Sequence, residues 1–217
     1  MTRIDHLVVA AHDLAQGIDY LRSTLGIEIP PGGFHQTMGT HNHLMKLGDE
    51  IYLELISINP EAEIPQHPRW FALDEQMMRA SLRQSPRLIT WMVNTPDILR
   101  LTRQSSFATG TISSLTRNNL HWKVTLSDDG RLLANGLLPQ VIEWQSTPHP
   151  AHAMADLGCR LHALDLYHNR LDWLHVHLKS LNAFNLVTLH EISDSESPYL
   201  AATIKTGNGL KVLSSLI

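Results

Sequence analysis

Apolar residues at the start of the chain follow two different spacings, one after the other. Residues 3–10 form a short, almost continuous apolar run, which is typical of a buried strand. Leucine and isoleucine then recur three or four positions apart between residues 14 and 25, as on one face of a helix. Asp13 can cap the first turn of this helix and Gly26 can end it. The pattern therefore predicts a strand followed by an amphipathic helix.

Three shorter apolar runs follow this helix. Residues 27–29 predict a short strand that a pair of prolines ends. Residues 41–47 and 51–58 predict two longer strands, which the turn at residues 48–50 joins. The first part of the chain thus has the order β-α-β-β-β.

The same order recurs twice further along the chain. Thr95 and Asn169 stand where each later unit begins its helix. The predicted strands are residues 87–93, 110–115, 121–126 and 138–145 in the second unit, and residues 160–166, 186–190, 199–205 and 210–216 in the third. The repetition is one of pattern rather than of residue identity, and it predicts an α+β fold built from βαβββ units.

The boundaries of these units predict how the chain is divided. Residues 1–60 and 86–147 form the first two units, with a helical linker at residues 61–85. We expect these two units to make one domain over residues 1–147. Residues 148–217 form a third, divergent unit that follows a turn-rich segment.

Composition narrows the class of protein. Hydrophobic residues make up 43% of the 217 positions, enough to bury a core, and no run is long enough to span a membrane. The net charge of −4, with no basic block, argues against nucleic acid or an anionic membrane as partner. The single cysteine rules out an intramolecular disulfide. With no targeting segment recognised, we expect a cytoplasmic protein.

Three ionisable residues lie within predicted strands, where isolated charge is costly. His6 lies in the first strand, and Glu54 lies in the last strand of the first unit with apolar neighbours on both sides. Glu143 lies in the last strand of the second unit. A carboxylate in such a strand faces solvent, or it is paired or bound to a metal. The recurrence at matching places favours a shared role for Glu54 and Glu143.

The sequence resembles the vicinal-oxygen-chelate superfamily, and most closely its glyoxalase-like branch. The resemblance is carried by the segments at residues 4–9, 31–35, 39–42 and 47–56, and less strongly by Trp91, Asp97, Leu138-Pro139 and Glu143-Trp144. It implies paired βαβββ units that form a curled, mostly antiparallel sheet. It does not imply one reaction, because the superfamily includes isomerases, dioxygenases, epimerases, lyases and drug-binding proteins.

The resemblance also implies a divalent metal inside the curled sheet. His6, Glu54 and Glu143 match three of the ligand positions. The fourth falls near Thr90 or Trp91, neither of which is a usual ligand. Imidazole with carboxylates suits Fe, Mn, Zn or Ni, so the metal stays undetermined.

Further residues are candidates for binding the substrate. His35, Thr40 and Asn42 follow or lie between glycines at the mouth of the implied cavity, where His35 could act as a general acid or base. Trp91 and Trp144 could line an apolar pocket or serve as core.

The third unit leaves two matters open. His162 lies seven residues before Asn169, just as His6 lies seven before Asp13, so it could supply a first-strand histidine. A third unit without a partner would also leave one sheet open, which predicts a homodimer formed through it.

The other histidines show no partner at a useful spacing. We expect surface or local structural roles for His12, His67, His121, His149, His152, His168, His175, His177 and His190.

Taken together, these features predict a metal-dependent enzyme of the lyase or isomerase type. The metal would stabilise an oxyanion of a small, oxygen-rich substrate, with Glu143 or Glu54 as the base. Two alternatives remain open: a metal-free protein that binds or sequesters a small molecule on the same fold, and an Fe(II) ring-cleaving dioxygenase that uses His162 together with His6.

Overall fold

The computed structural model describes residues 1–216 as two β-sheets with helices packed between and around them. The strands are β1 Arg3–Ala10, β2 Pro31–His35, β3 Thr40–Gly48, β4 Ile51–Ile58, β5 Arg87–Asn94, β6 Thr111–Arg117, β7 Leu120–Leu126, β8 Gln140–Trp144, β9 Arg160–His168, β10 Thr188–Glu191, β11 Tyr199–Thr206 and β12 Gly209–Ser214. The α-helices are α1 Leu14–Leu25, α2 Gln76–Gln84, α3 Ile98–Arg103 and α4 Leu171–Ser180.

The first helix begins and ends where its capping residues predict. The Asp13 side chain accepts a hydrogen bond from the backbone N–H of Gln16, which satisfies one free donor of the first turn. Gly26 adopts the left-handed conformation, with φ of 72°, and its N–H bonds to the carbonyl of Arg22. Local sequence alone therefore fixes the bounds of α1.

The larger sheet has eight strands in the order β2-β3-β4-β1-β5-β8-β7-β6. In each half the first strand lies parallel to the last one, β1 beside β4 and β5 beside β8. The halves join through the antiparallel pair of β1 and β5. The remaining pairs are antiparallel. The predicted α+β fold of paired βαβββ units in a curled, mostly antiparallel sheet is confirmed.

The two faces of this sheet bury different side chains because direction alternates along a strand. On β1, Leu7 and Val9 join the cluster that packs under the helices and the smaller sheet, whereas Val8 and Ala10 join a second cluster on the concave face. The concave face holds the cavity described below.

The linker between the two halves fills part of the concave face. Its helix α2 is shorter than the linker, and Trp70, Phe71 and Leu73 ahead of it are buried in the concave cluster. Phe71 and Ala72 both have positive φ, at 60° and 57°, a costly conformation for residues with side chains. The N–H of Ala72 bonds to the carbonyl of Gly130 at 2.7 Å, which holds this bend in place.

One predicted strand and two predicted helix caps were wrong. The strand predicted at residues 27–29 is absent, and β2 begins instead at Pro31. A proline can begin β2 because this is an edge strand, where a missing N–H is tolerated. The cap of α3 is Asp97 rather than Thr95. Asn169 does not cap α4, whose N-cap residue is Arg170; the Asn169 side chain donates to Asp194 instead.

The third unit keeps the element order but not the pairing of the first two. Its sheet has the order β10-β9-β11-β12, with β9 parallel to the next strand rather than to the last. Leu166, Leu200 and Ile204 on one face join the cluster on the convex side of the larger sheet. Leu210 and Val212 on the edge strand β12 are exposed, and the homodimer stays a prediction.

Helices long and apolar enough to cross a membrane do not occur within residues 1–216.

Candidate functional site

A cavity of about 40 Å³ lies on the concave face of the larger sheet, enough room for two or three water molecules. Its polar lining comes from His6, His35, Asn42, Glu54 and Arg117. Its aromatic lining comes from Tyr52, Trp70, Phe71, Trp122 and Trp144. Both halves of the sheet and the linker thus contribute to one small chamber with both polar and aromatic walls.

Asp5 and His6 form a buried pair at the floor of this cavity. The pairing of β1 with β5 shifts register between Ile4 and His6, so Asp5 is the extra residue of a bulge. The His6 Nδ1 lies 2.5 Å from the Asp5 Oδ1. Because a carboxylate only accepts, Nδ1 carries the proton and Nε2 keeps its lone pair for the cavity.

Asp5 is fully buried and saturated with hydrogen-bond donors. Besides His6 it accepts from Trp144 Nε1 at 2.8 Å, His149 Nε2 at 3.0 Å and Asn94 Nδ2 at 3.1 Å. The backbone N–H of Ala151 donates to His149 Nδ1, which places the His149 proton on Nε2. Burial by itself raises the pKa of Asp5, but the hydrogen bonds that it accepts from His149 and His6 outweigh burial and hold the pKa well below its usual range. Asp5 is therefore an anion that orients four side chains.

Glu54 faces His6 across the cavity. Its Oε2 lies 3.7 Å from His6 Nε2, and its Oε1 accepts from Asn42 Nδ2 at 2.5 Å. The ring of Tyr52 stacks on the imidazole of His6, with centroids 4.4 Å apart. Burial, together with the charges of Asp5 and Glu54, raises the pKa of Tyr52 well above its usual value, so its hydroxyl stays protonated.

His35 and Arg117 close the cavity where the two edges of the curled sheet approach each other. Arg117 ends the edge strand β6, and its Nη1 lies 3.3 Å from His35 Nε2 and 3.4 Å from Asn42 Oδ1. His35 Nδ1 lies 3.2 Å from Thr40 Oγ1. Burial is the main cause that lowers the pKa of His35 to about 4; Glu54 acts against it, and the positive charge of Arg117 and the nearby His6 act with it. His35 is thus neutral at pH 7 and accepts from Arg117 through Nε2.

An outer cleft of about 590 Å³ adjoins the cavity. His35, Trp70, Arg117 and Trp122 line both spaces, so these four side chains form the wall between them. A ligand that enters from the cleft meets Arg117 and His35 before it reaches His6.

The structure brings together most of the predicted site residues. His6, His35, Asn42, Glu54 and Trp144 all line the cavity. Thr40 lies one contact behind them, beside His35.

Glu143 lies away from this group, and its prediction as a metal ligand and base beside His6 is corrected. Ile142 and Trp144 line the cavity, so the side chain between them points to the opposite face of β8. There Glu143 Oε2 accepts from the backbone N–H of Ile98, and Oε1 lies 3.6 Å from Lys123 Nζ. Its role is to cap α3 and neutralise a lysine.

Trp91 also lies outside the cavity. It is fully buried in the convex cluster, and its Nε1 donates to the carbonyl of Leu137 at 3.0 Å. The prediction that Trp91 binds the substrate is therefore wrong, and the alternative, a role in the core, is the one observed.

His162 does not join His6. It is exposed on β9 of the smaller sheet, whereas His6 is buried in the larger one. The triad of the ring-cleaving alternative is therefore not assembled.

The donor set falls short of a metal site. Within residues 1–216 no three His, Cys, Asp or Glu side chains are grouped to hold a metal ion. His6 and Glu54 offer two donors, one fewer than the three protein ligands usual at a catalytic metal. Asp5 cannot supply the third, because its oxygens already accept from four side chains.

Asp5, Arg117 and His149 are site residues that the sequence did not reveal. His149 was expected to have a surface or local structural role but is buried against Asp5, 144 positions away in the chain. The contact of Arg117 with His35 spans 82 positions. Only the costly placement of an aspartate within an apolar run offered a clue to Asp5.

The fold and the site define a protein of the glyoxalase-like class. A family model described as "Glyoxalase-like domain" matches residues 4–181, and the chain belongs to this family. No curated protein matches the chain.

Solved structures with similar folds were also found. A hypothetical protein from Staphylococcus aureus has 12% identity and a TM-score of 0.57, with 99% of this chain and 85% of that chain covered. A methylmalonyl-CoA epimerase from Streptomyces coelicolor has 16% identity and a TM-score of 0.42, with 69% of this chain and 99% of that chain covered. An epimerase of the same name from Mycobacterium tuberculosis has 13% identity and a TM-score of 0.40, with 67% and 89% covered. At these identities the Staphylococcus aureus structure supports the shared fold alone.

Proposed function

We propose that this protein is a glyoxalase-like enzyme that moves a proton at a carbon next to a carbonyl group of a small substrate. The observation that carries the proposal is the buried Asp5–His6 pair, with a 2.5 Å contact, at the floor of a small cavity. A carboxylate that fixes the tautomer of an imidazole is a recurrent arrangement for acid–base catalysis. His6 is the catalytic acid–base group, and Asp5 is its positioning residue.

The surroundings of His6 favour the proton transfer. Nδ1 of His6 is held by Asp5 and Nε2 lies 3.7 Å from Glu54 Oε2, so a proton taken up at Nε2 lies close to a second carboxyl group. The stacked ring of Tyr52 and the packing around His6, which is 4% exposed, keep the imidazole in place. The catalytic nitrogen thus exchanges protons only with the cavity.

The negative charge that develops on the carbonyl oxygen needs a donor. Tyr52 keeps its hydroxyl proton because burial, two nearby carboxylates and a hydrogen bond to Asp5 raise its pKa, and donation to an oxyanion would replace that bond to Asp5. The Arg117 guanidinium lies at the far side of the same cavity. These groups supply the electrostatic stabilisation that a divalent metal was expected to give.

A metal-dependent form of this proposal has less support than a metal-free form. Among residues 1–216, only His6 and Glu54 bring their side-chain donors together in the cavity, and the nearby guanidinium disfavours a second cation. The proposed chemistry therefore needs only the protein's own side chains.

A test is hydrogen exchange in D₂O, followed by proton NMR on a panel of 2-oxo acids and their amides. The wild-type protein is expected to exchange the C–H next to the carbonyl of at least one compound above the buffer rate. His6→Gln should lower that rate by a factor on the order of 10² to 10⁴. His12→Gln, at an exposed histidine of the same segment, is the matched control and should leave it unchanged. Equal rates in wild type and His6→Gln, or no exchange with any compound, would refute the proposal.

The second candidate is a metal-free protein that binds a small molecule, and the five aromatic side chains of the lining favour it. Saturable quenching of tryptophan fluorescence by a compound that shows no catalysed exchange would support binding without catalysis.

A further inference from the structure

We propose that Arg117 is the anion-recognising residue of this site and that the substrate carries a carboxylate. The inference deepens the proposed function and rests on it, because it names the substrate class of the same cavity. It assigns to Arg117 the role of a substrate-binding group at the wall between cavity and cleft.

The first support is the charge balance around Arg117. Its guanidinium contacts His35 Nε2 and Asn42 Oδ1, which are both neutral acceptors. Across residues 1–216 no carboxylate oxygen lies within 4.0 Å of it, in contrast to Arg69, which pairs with Asp74 at 2.7 Å. A half-buried guanidinium without a carboxylate partner is stabilised by an anionic ligand.

The second support is the contact geometry. Both of the contacts to Arg117 are made through Nη1, at 3.3 and 3.4 Å, which is long for hydrogen bonds of a charged donor. Contacts to neutral acceptors at this length are readily exchanged for the shorter, two-pronged bonds that a guanidinium makes with a carboxylate.

The third support is the position of Arg117 in the wall. A carboxylate held there has the cavity of His6 and Glu54 on one side and the larger cleft on the other. The cavity has room only for a small group such as a carbonyl, since its volume is about 40 Å³. The cleft has a mixed lining in which Trp70, Leu115 and Trp122 form an apolar part, so it has room for a larger body with an apolar or aromatic group. The site therefore suits a 2-oxo acid with an apolar or aromatic tail.

The probes for this inference are phenylpyruvate and its neutral amide, phenylpyruvamide. Binding is measured by quenching of tryptophan fluorescence, because Trp70, Trp122 and Trp144 line the cavity. We expect the wild-type protein to bind the acid about ten- to a hundredfold more tightly than the amide. This is the gain in affinity that on the order of one or two charge-assisted hydrogen bonds contribute. Arg117→Gln should lose this preference and still bind the amide.

Two further variants sharpen the test. Arg117→Lys keeps the charge but not the planar fork, so it should retain part of the preference. Arg100→Gln removes an exposed arginine of α3 and should retain all of it. The proposal is overturned if wild type binds neither compound or binds both equally, or if Arg117→Gln keeps its preference for the acid.

The carboxylate preference and the proton transfer are tested by different variants, so one proposal can fail while the other holds. His6→Gln should lower the exchange rate yet keep the preference for the acid, because the hydrogen bonds of Arg117 go to His35 and Asn42. If His6→Gln loses the preference for the acid and Arg117→Gln keeps it, the assignment of Arg117 is contradicted. The proposed role of His6 in proton transfer is not tested by that result.

Discussion

The low pKa of His35 predicts that stability falls as the pH falls from neutrality. The change is His35→Asn, which removes the titratable ring from the wall of the cavity. In the folded protein burial lowers the pKa of His35 from 6.5 to about 4. Above pH 6.5 the ring is neutral in both states and costs nothing. Between pH 6.5 and 4 the unfolded chain binds a proton that the folded protein does not, so unfolding becomes easier as the pH falls.

The size of this effect follows from the shift. A shift from 6.5 to about 4 corresponds to about 3 kcal/mol at 1.36 kcal/mol for each pKa unit. The assay is urea unfolding at a series of pH values from 7.5 to 4, in wild type and in His35→Asn. The difference in free energy of unfolding between the two proteins should change by about 3 kcal/mol across this range, in favour of the variant at low pH. His12→Asn is the control and should track the wild type. If the difference in free energy of unfolding between wild type and His35→Asn stays constant with pH, the reasoning is refuted.

Three other variants test the description of the site and fold. Asp5→Asn places an amide among four hydrogen-bond donors, so the free energy of unfolding measured with urea should fall by about 3 to 5 kcal/mol. The proton exchange detected by NMR should also be lost. Unchanged exchange would contradict the role of Asp5. Glu143→Gln weakens the contact to the N–H of Ile98, so stability should fall by about 1 kcal/mol or less while exchange is unchanged, and a large loss of exchange would return Glu143 to the site. Gly17→Ala puts a methyl group 2.4 Å from Leu55 Cδ1, so stability should fall by about 1 to 3 kcal/mol, and a neutral effect would show that the helix can shift there.

The sequence predicted the elements and the first half of the site because both depend on local pattern. The spacing of apolar residues and two capping residues fix β1 and α1 at the bounds observed. His6 and Glu54 were recognisable because an ionisable group in a buried strand is costly without a purpose. Both line the cavity.

Glu143 shows how the same reasoning goes wrong. Its strand was matched correctly to β4, as the parallel pairs of β4 with β1 and of β8 with β5 show. A match between strands does not fix which residues face inward, because a slip of one position reverses every side chain. The positions on β8 that face the cavity hold Ile142 and Trp144.

Arg117 and His149 could not be predicted by pattern at all. Each reaches the site from a distant segment, β6 in one case and the turn after β8 in the other. Their contacts depend on how the sheet curls and where the third unit begins, which no local spacing encodes. For the same reason the sequence could not show that no carboxylate of residues 1–216 pairs with Arg117.

The central claim is that the side chains around His6 transfer a proton without a metal ion. The direct measurement is the rate of NMR-detected exchange in protein treated with a strong chelator, then again after addition of Mn²⁺, Fe²⁺, Ni²⁺ or Zn²⁺ in turn. We expect the same His6-dependent rate in every sample. A rate that vanishes with chelator and returns with one metal would contradict the claim and make His6 and Glu54 metal ligands.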